Sequence, residues 1–232
     1  MTNILVTGTS RGIGAAIVKA FAGHNVVGHS TRGGENEIAA DFDEPGVATR
    51  VWAEALERLG GRIDVLVNNA GLFEAAPIEN GDAEWLAGWE KTLRINLTAS
   101  AELSRLAVLH FRAAGGGRIV NVASRAAYRG DSPQHWHYAA AKAGMVGMTK
   151  TIARGFARDG VLAFAVTPGF TMTGMAEEYL ASRGGEQLLQ DIPLGRVAET
   201  EEVAETVRWL ALDAPPSATG AVIDVNGASF VR

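Results

Sequence analysis

One tyrosine and one lysine are spaced for acid–base chemistry. Tyr138 stands four residues before Lys142 in the run Tyr-Ala-Ala-Ala-Lys. Residues at positions i and i+4 share a face of a helix, so the ammonium can lie close to the phenol. A phenol has an ordinary pKa of about 10, and a neighbouring cation lowers it. The pair is therefore suited to exchanging a proton with a carbonyl or alcohol oxygen, although an ordinary amphipathic helix has the same spacing.

Composition indicates a globular chain and excludes several kinds of site. The 232 residues are 47% hydrophobic and 20% charged, which is typical of a protein with one sizeable core. The net charge of −5 gives no support to binding of nucleic acid or of an anionic membrane. Because the chain has no cysteine, disulfides, thiol nucleophiles and thiolate metal sites are excluded.

The sequence shows neither a signal peptide nor a transmembrane segment. Thr2 and Asn3 lead directly into an apolar strand, without a basic segment and a long apolar run. No apolar run reaches the roughly 20 residues that a membrane-spanning helix needs. We therefore expect a cytoplasmic protein, with which the lack of cysteine agrees. His135 and His137 have no carboxylates at ligand spacing, so no metal site is predicted.

Hydrophobic periodicity predicts an alternation of strands and helices. Strands are expected at residues 4–7, 25–29, 37–40, 63–67, 118–123, 162–166 and 221–225, and helices at 12–22, 47–59, 85–113, 137–158 and 199–212. This alternation predicts an α/β fold in which about seven parallel strands form a doubly wound sheet with helices on both faces. No repeat or linker divides the chain, so residues 1–232 are expected to form a single domain.

A glycine-rich turn joins the first predicted strand to the first predicted helix. Residues 7–14 read Thr-Gly-Thr-Ser-Arg-Gly-Ile-Gly, with Gly8, Gly12 and Gly14 in the pattern G-x-x-x-G-x-G. Glycines allow close backbone approach, and the N-terminus of the next helix offers free N–H groups and a positive dipole end. The turn predicts a site for the pyrophosphate of a dinucleotide, although a tight turn without a ligand has the same composition.

The chain resembles the classical short-chain dehydrogenases/reductases, whose motifs follow in order along nearly the whole sequence. They are residues 7–14, the Asn-Asn-Ala-Gly run at 68–71, Asn96, Ser124, Tyr138 with Lys142, Pro168-Gly169 with Thr173, the segments 192–196 and 201–204, and Thr219-Gly220. The overall pattern is most similar to that of 3-oxoacyl-(acyl carrier protein) reductases and general alcohol dehydrogenases. The resemblance implies a single-domain Rossmann fold and hydride transfer between a carbonyl and a secondary alcohol.

The resemblance also implies roles for individual residues. Tyr138 would be the general acid or base, Lys142 would lower its pKa and bind the nicotinamide ribose, and Ser124 would polarise the substrate oxygen. Asn96 would occupy a helix irregularity and hold a water that links Lys142 to solvent. Asp41 and Phe42 would flank the adenine. The full set of predicted cofactor contacts is Gly8, Ser10, Arg11, Gly12, Ile13, Gly14, Ser30, Thr31, Arg32, Asp41, Phe42, Asn68, Ala70, Gly71, Tyr138, Lys142, Pro168, Gly169, Thr171 and Thr173.

The end of the second predicted strand bears on the choice of cofactor. An acidic residue there would bind the ribose 2′-hydroxyl of NAD and repel a 2′-phosphate. This strand ends instead in His29-Ser30-Thr31-Arg32, and hydroxyls and a guanidinium suit a phosphate. Arg11 in the glycine turn is a second cation. We therefore predict a preference for NADP(H), with NAD(H) possible and with a solvated Arg32 as the alternative.

Several stretches depart from the family pattern or concern the substrate. Ser124 and Tyr138 are one residue further apart than is usual, and in the lengthened loop Asp131, Ser132, His135 and Trp136 either shape the substrate pocket or are solvated. The usual helix after the second strand is reduced to residues 33–36. Segment 171–191 is expected to be a lid over a partly hydrophobic substrate or a plain amphipathic helix pair. Arg125 and Arg129 are candidate contacts for a carrier protein.

Three functional hypotheses remain open on the sequence alone. The first is an NADP(H)-dependent carbonyl reductase, the second an NAD-preferring alcohol dehydrogenase, and the third a non-catalytic dinucleotide sensor or scaffold. A sensor has no need of Asn96, Ser124, Tyr138 and Lys142 together. Small residues on two predicted helices also indicate a homo-oligomer, either a dimer or a tetramer; they are Ala99, Ala101, Ala107, Ala143, Gly144 and Gly147.

Overall fold

Seven parallel strands form one sheet in a computed structural model that describes residues 1–172 and 189–232. The strand order is β3-β2-β1-β4-β5-β6-β7, and it reverses between β1 and β4, as in doubly wound folds. This confirms the predicted α/β class. The strands are β1 (Asn3–Thr7), β2 (Asn25–Ser30), β3 (Glu37–Ala39), β4 (Val65–Asn68), β5 (Gly117–Val122), β6 (Val161–Pro168) and β7 (Val222–Val225).

Helices cover both faces of this sheet. On one face lie α1 (Gly12–Ala20) and α7 (Thr200–Leu212), and on the other lie α2 (Val47–Arg58), α4 (Ala99–Ala114) and α6 (Trp136–Phe156). Helix α3 (Asp82–Leu93) continues into α4 through a π-helical turn (Arg94–Thr98). The short helix α5 (Ala126–Arg129), which the sequence did not predict, follows β5. None of the described helices combines the length and the hydrophobicity needed to cross a bilayer.

The central strands contribute to two hydrophobic cores. Leu5 of β1 packs into the core beneath α2, α4 and α6, whereas Ile4 and Val6 pack into the core beneath α1 and α7. Successive side chains of a strand point to opposite faces, so a strand covered on both faces must be apolar at every position. Each such side chain contributes about 1.5–3 kcal/mol by its burial. The continuous apolar runs of the sequence therefore mark central strands.

The connection between β2 and β3 is a short loop at residues 31–36. Parallel neighbours are usually joined by a crossover of about a dozen residues or more, most often a helix. Here Gly28 pairs with Glu37 and Ser30 with Ala39, and the loop is folded back by a bridge between Gly34 and Glu37. This confirms that the usual helix is missing, and it leaves β3 at the edge of the sheet.

The small residues that indicated subunit contacts are divided between the interior of the protein and its surface. Ala99 and Ala107 are buried in the core, and a Cβ added at Gly144 would lie 2.8 Å from Leu97 Cδ2. The small size of these residues serves packing within the chain. The prediction of a subunit contact is wrong for the buried Ala99 and Ala107, and it stays a prediction for the half-buried Gly144. Ala143 and Gly147 are exposed on α6.

Candidate active site

The glycine turn is fastened to the carboxyl end of β1 by the loop after β4. Asn69 Nδ2 donates to the carbonyl oxygens of Thr7 and Gly8 at 2.9 and 3.0 Å. A Cβ added at Gly14 would lie 1.9 Å from the Gly8 oxygen, so only glycine fits there. Gly8 has φ +73° and approaches Ala70 Cα so closely that its Cβ would lie 2.7 Å away. The first and last glycines of the motif therefore close the turn.

The N-terminus of α1 is suited to an anion. Within the described residues no side chain caps this helix, and its first turn carries no acidic residue. The orphan N–H groups and the positive end of the helix dipole are therefore left for a ligand. Arg11 at the N-cap position is exposed. Ser10, Arg11, Gly12 and Ile13 thus fit the predicted pyrophosphate of a dinucleotide.

Asn68 serves the interior of the protein. Its side chain is fully buried, and its Nδ2 donates to Asn121 Oδ1 at 2.8 Å and to Ser104 Oγ at 3.1 Å. Asn121 donates in turn to Thr149 of α6 at 2.8 Å. This side chain therefore ties β4 to β5 and α4, and the cofactor contact predicted for Asn68 stays a prediction for its backbone.

Asn96 occupies the π-helical turn, which confirms the predicted irregularity of the helix. Its Oδ1 accepts from the Leu72 N–H at 2.6 Å and its Nδ2 donates to the Leu72 oxygen at 2.8 Å. A Cβ added at Gly71 would lie 3.5 Å from both Asn96 Oδ1 and Lys142 Nζ. Asn96 therefore holds the loop of Gly71 and Leu72 against the lysine.

Lys142 is almost completely buried beside Tyr138. It is 3% exposed, its Nζ donates to the Val122 oxygen at 2.9 Å, and the Nζ lies 5.7 Å from the centroid of the Tyr138 ring. Burial lowers the pKa of Lys142 to about 8. Because loss of water disfavours a charged group, a buried ammonium holds its proton less firmly than an exposed one.

The pKa of Tyr138 moves in the opposite direction to the predicted one. Burial raises it to about 12, although the hydrogen bond from Ser124 acts to lower it and Asp131 adds to the rise. The net shift of the Tyr138 pKa in the protein alone is therefore upward, because the loss of solvent disfavours the phenolate. At neutral pH the phenol keeps its proton.

Ser124 is placed by the end of β5. Its Oγ accepts from the Ala126 N–H at 3.1 Å at the start of α5, so its own proton remains available to donate towards Tyr138 or a substrate oxygen. The structure thus brings Ser124, Tyr138, Lys142 and Asn96 together at the carboxyl edge of the sheet.

Aromatic rings form one wall beside Tyr138. Phe73 stacks on His135 with centroids 4.0 Å apart and an interplanar angle of 4°, and it meets the Tyr138 ring edge-on at 4.8 Å. Ser132 Oγ lies 2.7 Å from His135 Nδ1 and orients that ring. Phe73 was not predicted from the sequence, where its only signal was an aromatic residue just after the turn at 68–71. Trp136 is 52% exposed and instead packs against Trp85 of α3.

A carboxylate lies at the carboxyl end of β2, but it comes from β3. Glu37 accepts from Thr9 Oγ1 and from Ser30 Oγ, both at 2.6 Å. Gly28 leaves room for it, since a Cβ there would lie 3.1 Å from Glu37 Cγ. The predicted cofactor preference assumed that no acidic residue lies at the end of β2. Residues 29–32 contain none, but Glu37 of β3 places a carboxylate at this point. Because the Ser30 hydroxyl gives its single proton to Glu37, that proton is not available to a phosphate.

The predicted adenine contacts divide between surface and interior. Phe42 is buried, and its ring stacks on His29 with centroids 4.0 Å apart. Burial lowers the pKa of His29, whose ring nitrogen lies 3.0 Å from the Ala40 oxygen. Because its ring belongs to the core, Phe42 can flank the adenine, as predicted, only through its backbone. Asp41, Thr31 and Arg32 are exposed.

The end of β6 borders the site from the far side. A Cβ added at Gly169 would lie 2.8 Å from Asn226 Cβ, and Pro168 accepts from the Arg125 N–H at 2.9 Å. Thr171 donates its hydroxyl to the Gly169 oxygen at 3.3 Å. Thr173 and residues 174–188 of the predicted lid lie outside the described residues. In the parts that are described, no group of three or more histidines or carboxylates is arranged to hold a metal ion.

Known proteins match this sequence along nearly its whole length. A family model described as Enoyl-(Acyl carrier protein) reductase matches residues 8–228. An acetoacetyl-CoA reductase of Rhizobium meliloti is 35% identical over 240 residues, which are 97% of each chain. A 3-oxoacyl-(acyl carrier protein) reductase of Synechocystis sp. is 37% identical over 243 residues, and a cis-4-hydroxycyclohexanecarboxylate dehydrogenase of Sinomonas cyclohexanicum is 35% identical over 245 residues; each match covers 96% of this chain and 94% of the relative.

The matches span the glycine turn, the four clustered polar residues and the last strand. The sheet order and the π-helical turn at Asn96 agree with the resemblance found in the sequence. The relatives named above are reductases and a dehydrogenase. The chain therefore belongs to the short-chain dehydrogenase/reductase family and is an oxidoreductase that depends on a nicotinamide dinucleotide.

Proposed function

We propose that the protein interconverts a carbonyl and a secondary alcohol with NADP(H), and that residues 1–232 act as one catalytic domain. The observation that supports the proposal is the convergence of Ser124, Tyr138 and Lys142 next to the uncapped N-terminus of α1. The nicotinamide supplies or accepts the hydride. The residues of the chain then have to hold the substrate oxygen and move one proton.

In carbonyl reduction Tyr138 gives its proton to the substrate oxygen. A phenol with a pKa of about 12 is protonated at neutral pH, so Tyr138 carries the proton that it donates. The free proton of Ser124 orients the substrate oxygen towards the phenol. Lys142 provides the cation that stabilises the phenolate left behind. In alcohol oxidation the same groups act in reverse, with Tyr138 as the base.

Turnover of a carbonyl panel tests the proposal against a non-catalytic sensor. The relatives are named for thioesters and for a cyclic hydroxy acid, so the panel contains acetoacetyl-CoA, 4-oxocyclohexanecarboxylate and neutral ketones, each with NADPH and with NADH. We expect loss of dinucleotide absorbance and formation of the secondary alcohol with at least one carbonyl. Tight dinucleotide binding without turnover of any panel member would instead support the sensor.

We propose NADP(H) as the preferred cofactor, with a modest preference over NAD(H). Arg11 and Arg32 are exposed at the ribose end, and two cations favour a 2′-phosphate. Glu37 carries one opposing charge among the same residues. The preference should therefore be smaller than two arginines alone would give.

Changing Glu37 to Gln should raise the affinity for NADPH by about tenfold, because one like charge is removed while the shape is kept. The affinity for NADH should stay the same or fall, because an acid at this point binds the ribose 2′-hydroxyl. Fluorescence titration of both dinucleotides measures this, and Glu35→Gln in the exposed loop is the matched control. Equal or tighter binding of NADH by the unchanged protein would contradict the preference, and an unaltered NADPH affinity of E37Q would contradict the role of Glu37.

We further propose a homo-oligomer, a dimer or tetramer, as the family resemblance implies. The support within this chain is the exposed surface of α6 at Ala143 and Gly147, where nothing lies within 4 Å of a Cβ built at Gly147. Small exposed residues of this kind allow a second helix to approach closely.

A further inference from the structure

One guanidinium nitrogen of an arginine next to the proposed catalytic serine is buried without a hydrogen-bond partner among the described residues. Arg125 follows Ser124 directly and is 9% exposed. Its Nη1 is buried and makes no hydrogen bond to any residue in 1–172 or 189–232. The guanidinium lies over the ring of Phe170, 5.0 Å from its centroid. This burial also excludes Arg125 as a surface contact for a carrier protein, which was one expectation from the sequence.

A buried guanidinium in this state costs stability. An arginine keeps its charge in proteins, and a charge taken out of water requires a partner. Burial is the main cause that lowers the pKa of Arg125, and Arg129 acts in the same direction, whereas Asp131 and Asp191 oppose it. Neither aspartate forms a bond to Nη1. An unpaired, buried cationic donor beside a catalytic group is typical of a site that binds an anion.

The position of this cation limits the anion that it can bind. The backbone N–H of Arg125 donates to the Pro168 oxygen at 2.9 Å, which fixes the backbone at this point. Because consecutive Cα atoms are about 3.8 Å apart, the Arg125 side chain starts beside Ser124. Its N–H donors reach only one side-chain length from there. The phosphates of a coenzyme A thioester are many bonds away from the reacting carbonyl, so they do not fit. A carboxylate on the substrate itself does.

We propose that Arg125 binds a carboxylate of the substrate, and that the protein acts on an oxo acid and the corresponding hydroxy acid. This inference rests on the proposed carbonyl–alcohol activity and names its substrate class. A guanidinium matches a carboxylate with two parallel N–H···O bonds. The Phe170 ring occupies one face of the guanidinium plane, and the Nη1 edge remains for the anion. The reacting carbonyl then lies between this anchor and Ser124.

Matched acids and esters test the anchor. The substrates are acetoacetate and 4-oxopentanoate, each with its neutral methyl ester, and the variants are Arg125→Met and Arg129→Met. Both variants lose one positive charge, but Arg129 is exposed. We expect R125M to lower kcat/KM for the acids by about 10- to 100-fold, mainly through KM. The esters should change by less than about twofold, and R129M should leave both classes unchanged.

Thermal unfolding supplies a readout that does not depend on turnover. In the presence of NADPH, which cannot accept a hydride, 4-hydroxypentanoate should raise the Tm of the unchanged protein and of R129M, but not that of R125M. R125M alone should unfold at the same or a higher temperature, because an uncompensated buried charge has been removed.

The outcomes separate this inference from the proposed function. Equal use of acids and esters by the unchanged protein, or an equal loss for both in R125M, overturns the carboxylate anchor while the carbonyl activity stands. Absence of turnover with every acid and ester contradicts the proposed function. In that case a Tm increase with 4-hydroxypentanoate that R125M abolishes still supports the anchor, and a missing increase overturns it.

Discussion

Replacing Tyr138 by phenylalanine should lower kcat for carbonyl reduction by about 10²–10⁴-fold, the usual contribution of a positioned general acid. The ring of the variant keeps the edge contact to Phe73 at 4.8 Å, so the wall of the site is preserved. Only the proton and the oxygen that Ser124 contacts are lost. Steady-state rates with the best carbonyl of the panel measure the effect, and titration shows whether dinucleotide affinity is kept.

Tyr128→Phe is the matched control for this experiment. Tyr128 lies on α5 and stacks on Phe230, and its hydroxyl accepts from Arg232 at 3.2 Å. The same chemical change away from the proposed proton path should leave kcat within about twofold. Similar rates for unchanged protein and Y138F would contradict the assignment of the acid, even if both bind NADPH.

Replacing Lys142 by methionine should lower kcat/KM by about 10²–10³-fold, a loss comparable to that of one preorganised charge-stabilising group. Methionine fills similar space beside Met145, which lies 3.7 Å from Nζ. The variant removes the cation that would stabilise the phenolate and the donor to Val122. Because a buried charge is removed, its thermal stability should not fall in proportion to its activity.

The pH profile identifies the lysine directly. Burial lowers the pKa of Lys142 to about 8, and a lysine is cationic below its pKa. The kcat/KM for reduction, which reports groups of the free enzyme, should therefore be level below about pH 8 and fall above it. K142M should lose this limb, whereas Lys150→Met, on the exposed side of the same helix, should keep it. Persistence of the limb in K142M would assign it to a different group.

Local sequence patterns were sufficient to predict much of the fold and the cluster of candidate catalytic residues. The i, i+4 spacing of Tyr138 and Lys142 depends only on the helix that contains them, and the glycine turn depends only on one strand–helix junction. Apolar runs were sufficient to place all seven strands to within a few residues, because central strands are buried on both faces. The helix spacing, the glycine turn and the apolar runs each depend on residues that are close together in the sequence.

Features that depend on the relation between distant segments could not be read in this way. Glu37 enters the ribose end from β3, which becomes visible only when the register between Gly28 and Glu37 is known. Arg125 and Arg129 are equivalent in the sequence, and only burial separates them. The sign of the Tyr138 pKa shift likewise depends on how much solvent the surrounding elements exclude, for which i, i+4 spacing gives no measure.

The short loop between β2 and β3 has a consequence for the order of folding. Parallel strands normally pair slowly, because segments far apart in the sequence must meet before they form stabilising contacts. The entropic cost of closing the loop between them grows with the length of that loop. Here the pair joins residues 28 and 37 with no helix between them. The edge of the sheet that carries Glu37 is therefore expected to assemble before β6 and β7, whose pairing must bring residues 165 and 222 together.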